Sequence, residues 1–66
     1  MLVTVNGVAT EVDEGTTVAD VVRARTDGRR HVAVARNGAV VPRGAWDATR
    51  LRPGDSVEVL APVAGG

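Results

Sequence analysis

The sequence predicts an α+β fold, a mixed sheet of four to five strands crossed by one helix, and three observations predict it. Two Asn-Gly dipeptides, Asn6-Gly7 and Asn37-Gly38, each interrupt a run of β-branched residues. The apolar period changes from two to helical spacing after Gly15. A final run, "SVEVLAPV", follows Pro53-Gly54 and places Val57 and Val59 on one face.

Each element can be justified in order. "MLVTV" and "VATEVD" are β-rich runs joined by Asn6-Gly7, the dipeptide best suited to the left-handed angles of a two-residue hairpin turn. In the second run Val8, Thr10 and Val12 alternate with Ala9, Glu11 and Asp13, so the first three are expected on the core face and the others in water. Thr17 with Asp20 three residues on forms a helix N-terminal cap, and Val18, Val21 and Val22 fall at helical spacing. Three valines are poor helix formers. A strand would nevertheless bury Asp20's neighbours Val18 and Val22 together with Asp20 itself, which favours the helix. Asp27-Gly28 supplies the stop.

"HVAVARNGAVV" repeats the opening signal and ends at Pro42. "VPRGAWDATRL" has weak helical character and is expected to carry one or two turns, plugged by Trp46 and Leu51. "RPGD" puts Pro53 and Gly54 at the central positions of a type II turn. The order is strand, strand, helix, strand, short strand, irregular turn, strand. It is the order of the β-grasp fold seen in ubiquitin, with the first and last strands side by side in the middle of the sheet and the helix across one face. Residues 1–66 are expected to form a single domain, of which 61–66 are a flexible tail.

Composition narrows the functions. A chain of 66 residues leaves little core to spare for a cavity, so a self-contained active site is not expected. With no Cys there is no disulfide, thiolate metal site or nucleophilic thiol. The eight basic residues are all Arg and balance eight acids, so no net charge draws the chain to nucleic acid or membrane. The absence of Lys leaves no side-chain amine to accept an acyl group. "MLVTVNG" has no signal-peptide form and nothing approaches the roughly 20 apolar residues of a membrane span, so a cytoplasmic location is expected.

The last strand runs into "APVAGG", which ends on Gly65 and Gly66. A terminal glycine pair contributes little to a fold and leaves a carboxylate on a thin tail.

The sequence resembles the ThiS family, the sulfur carrier proteins of thiamin thiazole biosynthesis. The resemblance rests on "VNG", "TVADVV", "VAVARNGAVVPRGAW" and "LRPGDSVEVLAPVAGG", and covers essentially the whole chain. It implies that the chain is not an enzyme. The Gly66 carboxylate would be adenylated with ATP by a separate activating enzyme and converted to a thiocarboxylate, whose sulfur goes to thiazole synthase. Gly66 would carry the sulfur and Gly65 let it reach, while Leu60, Pro62, Val63 and Ala64 form the apolar stem that meets the partners. Pro62 stiffens that stem. No cofactor is expected on the chain itself, ATP being used by the partner, and the free chain is expected to be a monomer.

Three other readings share the β-grasp order. The small subunit of molybdopterin synthase also ends in Gly-Gly, but that family is usually longer, with a helix rich in Leu and Phe, and this chain has no Phe. The "APVA" stem leaves the acceptor open between thiazole synthase and the molybdopterin enzyme. A ubiquitin-like modifier would need the same adenylate, and small size favours sulfur transfer over it. A β-grasp RNA-binding module needs a basic face and has no use for a free C-terminus.

Other residues take plainer readings. Arg23, Arg25, Arg29, Arg30 and His31 form a basic stretch, but Asp20 and Asp27 lie among them with no aromatic residue for stacking, so a solvated surface is expected. Glu11, Asp13 and Glu14 have no second constellation to make them an acid–base pair. His31 alone is no ligand set, and no metal site is expected. Trp46 reads as a packed plug, while Arg36 and Arg43 beside the second hairpin could face acidic groups on an activating enzyme.

Overall fold

The computed structural model describes residues 1–26 and 32–60. Strands β1 (Leu2–Val5) and β2 (Val8–Glu11) form the first hairpin, and helix α1 (Val18–Thr26) follows. Strands β3 (Ala33–Arg36) and β4 (Ala39–Val40) form the second hairpin; a 3₁₀ helix (Arg43–Ala48) leads to β5 (Ser56–Leu60). The five strands lie in the order β2-β1-β5-β3-β4, with β1 and β5 parallel and central and the other pairs antiparallel.

Local chemistry accounts for each element. Both hairpins turn on paired positive φ angles, 49° and 81° at Asn6 and Gly7 and 50° and 84° at Asn37 and Gly38. These are the angles of a turn whose twist matches the flanking strands. The turn at 52–55 has Gly54 at φ 84°, and the Asp55 N–H donates to the Arg52 carbonyl at 3.0 Å. Helix α1 starts on a reciprocal cap: the Thr17 N–H donates to Asp20 Oδ2 at 3.0 Å, and the Asp20 N–H donates to Thr17 Oγ1 at 3.2 Å. Two N–H groups that the helix ladder cannot satisfy are thereby satisfied. The Val18 N–H, another such group, donates to the Thr49 carbonyl at 2.9 Å.

The core sits between one face of the sheet and α1. It consists of Val3, Val5, Val34, Val57 and Val59 from the sheet, Val18, Ala19, Val21 and Val22 from the helix, and Trp46 and Leu51 beneath. Fully burying a valine is worth roughly 1.5–3 kcal/mol, which outweighs the few tenths by which each valine disfavours a helix. Trp46 is fastened as well as packed, its Nε1–H donating to the Val41 carbonyl at 2.9 Å with the Arg43 guanidinium 5.5 Å from the ring centre.

Two expectations need correction. Val8 is exposed, although its partner Val5 is buried, because it stands at the turn end of the edge strand with only β1 beside it. Arg36 is turned inward to a carboxylate of its own chain: its Nε–H donates to Asp55 Oδ2 at 2.9 Å. The expected helix stop at Asp27 and Gly28, and Arg29, Arg30 and His31, lie outside the described residues.

Candidate functional site

Strand β5 is the element that leads to the C-terminus, and its sequence alternates strictly. Val57 and Val59 point into the core, while Ser56, Glu58 and Leu60 face solvent. Leu60, expected as part of the partner-binding stem, is 60% exposed. The expected site residues Pro62, Val63, Ala64, Gly65 and Gly66 lie outside the described residues.

The register shows what surrounds Leu60. It pairs with Ala33 of β3, and in the neighbouring row Glu58 pairs with Ala35, which pairs in turn with Val40. Cross-strand partners share a face, so the exposed Leu60, Ala33 and Val40 belong to the side of the sheet away from α1. A shallow cleft on this side is lined by Asn6, Gly7, Ser56, Glu58 and Leu60. Its polar side chains are Ser56, Glu58 and Asn6, whose carboxamide is engaged with the backbone of Val59. A second cleft, between β2 and α1, is lined in part by Val5, Val12, Val21, Glu11, Asp13 and Arg25 and contains no Ser, Cys or His. The arrangement presents the exposed face of β5.

Strand β5 is held at both ends by asparagine side chains from the two hairpin turns. At its start Asn37 Oδ1 accepts the Ser56 N–H at 2.9 Å, while the Asn37 N–H donates to the Ser56 carbonyl at 2.7 Å. At its end Asn6 Oδ1 accepts the Val59 N–H at 2.8 Å, and Asn6 Nδ2 donates to the Val59 carbonyl at 3.2 Å. The sequence showed these asparagines only as turn formers. Asn, unlike Gly, brings a donor and an acceptor to a left-handed position.

Asp55, buried just before β5, completes the lower clamp. Its carboxylate accepts from Arg36 Nε, from Asn37 Nδ2 at 3.0 Å and from the Arg52 N–H at 2.8 Å. Burial pushes its pKa up, but the hydrogen bonds from Asn37, Arg52 and Arg36, together with the Arg36 charge, outweigh burial and hold it below the ordinary 3.8. A buried acid was not foreseen, because "RPGD" reads locally as a solvated turn.

The remaining charged residues follow the plain reading where they are described. Arg23 pairs with Asp20 at 3.3 Å and with Asp47 at 3.8 Å on an exposed surface. Glu11 lies exposed, 3.8 Å from the Met1 amine. Among the described residues no three His, Cys, Asp or Glu side chains gather as a metal site. Nor is any described helix long and apolar enough to cross a membrane.

A mixed sheet with a parallel central pair, one crossing helix and a last strand leading to the C-terminus defines the class: this is a ubiquitin-like β-grasp protein. The ThiS family model matches residues 3–66, and the chain belongs to the ThiS family. It is similar to the crystal structure of the thiamine biosynthesis protein ThiS from Geobacter metallireducens, with 39% identity, 100% of both chains covered and a TM-score of 0.82. It is also similar to the solution NMR structure of a thiamine biosynthesis protein from the same organism. There the identity is 39% and the TM-score 0.79, over 100% of this chain and 88% of that one. No curated protein matches the chain.

Proposed function

We propose that this protein is a sulfur carrier of thiamin biosynthesis, loaded at the carboxylate of Gly66. The observation that carries the reading is the ThiS match over residues 3–66, supported by 39% identity to a ThiS protein along its full length. The Gly-Gly end of the sequence is the chemical feature consistent with it.

The chemistry proceeds in two displacements. In the first, a carboxylate oxygen of Gly66 attacks the α-phosphorus of ATP on a separate activating enzyme, and pyrophosphate leaves. In the second, hydrosulfide-level sulfur attacks the acyl carbon, the carbon–oxygen bond to AMP breaks, and AMP and a proton leave, so that the carboxylate becomes a thiocarboxylate. The carrier contributes no catalytic group. It contributes a terminus narrow enough to enter the partner's site, Gly65 and Gly66 having no side chains to obstruct it. Its sulfur then passes to thiazole synthase.

Partner recognition is assigned to Leu60, Pro62, Val63 and Ala64, with Ala33 and Val40 extending the apolar surface beside Leu60. An apolar stem rising from a rigid sheet reduces the ordering cost of inserting the tail. The protein would act in the cytoplasm, as a monomer when free.

The test is the intact mass of the chain purified from its own host under thiamin starvation. A fraction heavier by the difference between sulfur and oxygen, located to Gly66 by fragmentation, is expected. A chain lacking Gly66 should fold normally and never load. Loading of that variant would overturn the mechanism, and chains found on other proteins through isopeptide bonds would indicate a modifier instead.

A further inference from the structure

Strand β1 ends before β5 does. The ladder between them runs through the Thr4 N–H to the Asp55 carbonyl at 2.8 Å and the Asn6 N–H to the Val57 carbonyl at 2.9 Å. There the chain turns away through Asn6 and Gly7. The next backbone groups of β5 on that side are the N–H and C=O of Val59, and β1 has no further peptide to offer them. The side chain of Asn6 takes that place, with both its donor and its acceptor in use.

We infer that Asn6 is the positioning residue of the C-terminal tail: its carboxamide extends the β1 side of the sheet by one peptide and fixes Val59 and Leu60 as the base from which residues 61–66 reach a partner. On the other side Ala33 and Val34 of β3 pair with Leu60 and Val59, so Asn6 closes the second flank of the strand end. The purpose assigned to this contact rests on the carrier reading; its geometry does not.

The residue type fits two demands at once. The backbone at position 6 has φ 49°, which Asn tolerates better than most residues. Gly would adopt the angle and leave the Val59 groups to water. Asp would accept from the Val59 N–H but set a carboxylate oxygen against the Val59 carbonyl. Only a carboxamide on this short stem meets both groups. Asn37 provides the comparison, since its side chain binds the start of β5 and Asp55, at the end of the strand far from the tail.

The experiment compares Asn6→Gly, Asn6→Asp and Asn37→Gly with the unaltered full chain. Three quantities are measured: the melting temperature, amide exchange by NMR, and ATP–pyrophosphate exchange by the host's activating enzyme with the carrier as varied substrate. In Asn6→Gly the Val59 and Leu60 amides should exchange about ten-fold faster, beyond any change at Val3 and Val34. KM for the carrier should rise about five-fold or more, with kcat within about two-fold. Asn6→Asp, which keeps the acceptor for the Val59 N–H, should fall between. Asn37→Gly should lower the melting temperature without raising KM.

Unchanged exchange at Val59 in Asn6→Gly would overturn the inference. So would a KM rise no larger than that of Asn37→Gly, because Asn6 would then contribute stability alone. If Asn6→Gly fails to fold, the same comparison is made with Asn6→Asp. An unaltered chain that the enzyme never adenylates would overturn the carrier reading, and the exchange measurement would then decide the positioning role by itself.

Discussion

The guanidinium of Arg36 donates from Nε to Oδ2 of Asp55 at 2.9 Å, joining the second hairpin to the turn that begins β5. With Asn37 and the Arg52 N–H on the same carboxylate, one buried acid gathers three donors and ties the second hairpin to the 52–55 turn. Removing it with Asp55→Ala leaves those donors without their partner. The expected loss is about 2–4 kcal/mol, measured by urea denaturation. A loss within the error of the method would show that water replaces the carboxylate fully.

The same contacts make stability depend on pH in a defined direction. The Asp55 pKa is lowered against the pull of burial, and that of Asp20 is lowered first by the Thr17 N–H, then by the Thr17 hydroxyl, with a smaller contribution from the Arg23 charge opposing slight burial. A lowered folded-state pKa means that the unfolded chain binds more protons in this range. The stabilisation is therefore complete well above 3.8 and is lost as pH falls through the folded-state values. Melting temperatures taken between about pH 6 and pH 2 should drop at the acid end, with a shallower slope in Asp55→Asn.

The cap on α1 can be tested by itself. Thr17→Ala removes the hydroxyl that accepts the Asp20 N–H and should cost about 1 kcal/mol, while Thr17→Ser should cost little. Chemical denaturation of the three proteins checks this, and equal losses in Ala and Ser would point to the lost methyl rather than the cap.

Trp46 carries the lower core. Trp46→Ala should destabilise by about 3–5 kcal/mol, through lost packing and an unpaired Val41 carbonyl. Circular dichroism is the measurement, because Trp46 is also the sole aromatic fluorophore.

Leu60 should behave in the opposite way. As an exposed residue it can become Asp with a stability change within about 0.5 kcal/mol. Under the carrier reading, Leu60→Asp should nevertheless slow adenylation by the activating enzyme. Unchanged adenylation would remove Leu60 from the partner surface.

Much of this fold was legible in the sequence because its signals are local. Asn6-Gly7 and Asn37-Gly38 determine their turns through the angles those residues tolerate. Thr17 and Asp20 cap a helix from three residues apart, and the alternation at Val57 and Val59 assigns a buried face by the two-residue period of a strand. The Gly65-Gly66 end, the chemical basis of the proposed site, is a property of sequence alone.

The tertiary structure decided what depends on neighbours. Val8 alternates like a core residue, yet the sheet order leaves it at an edge. Arg36 reads as a free surface cation until β3 lies against β5 and Asp55 comes within reach. Asn6 meets Val59 across 53 residues because burial of the two apolar faces makes β1 and β5 adjacent and parallel. Local angles and periods follow from residue type, whereas contacts between distant residues follow from which strands share a core.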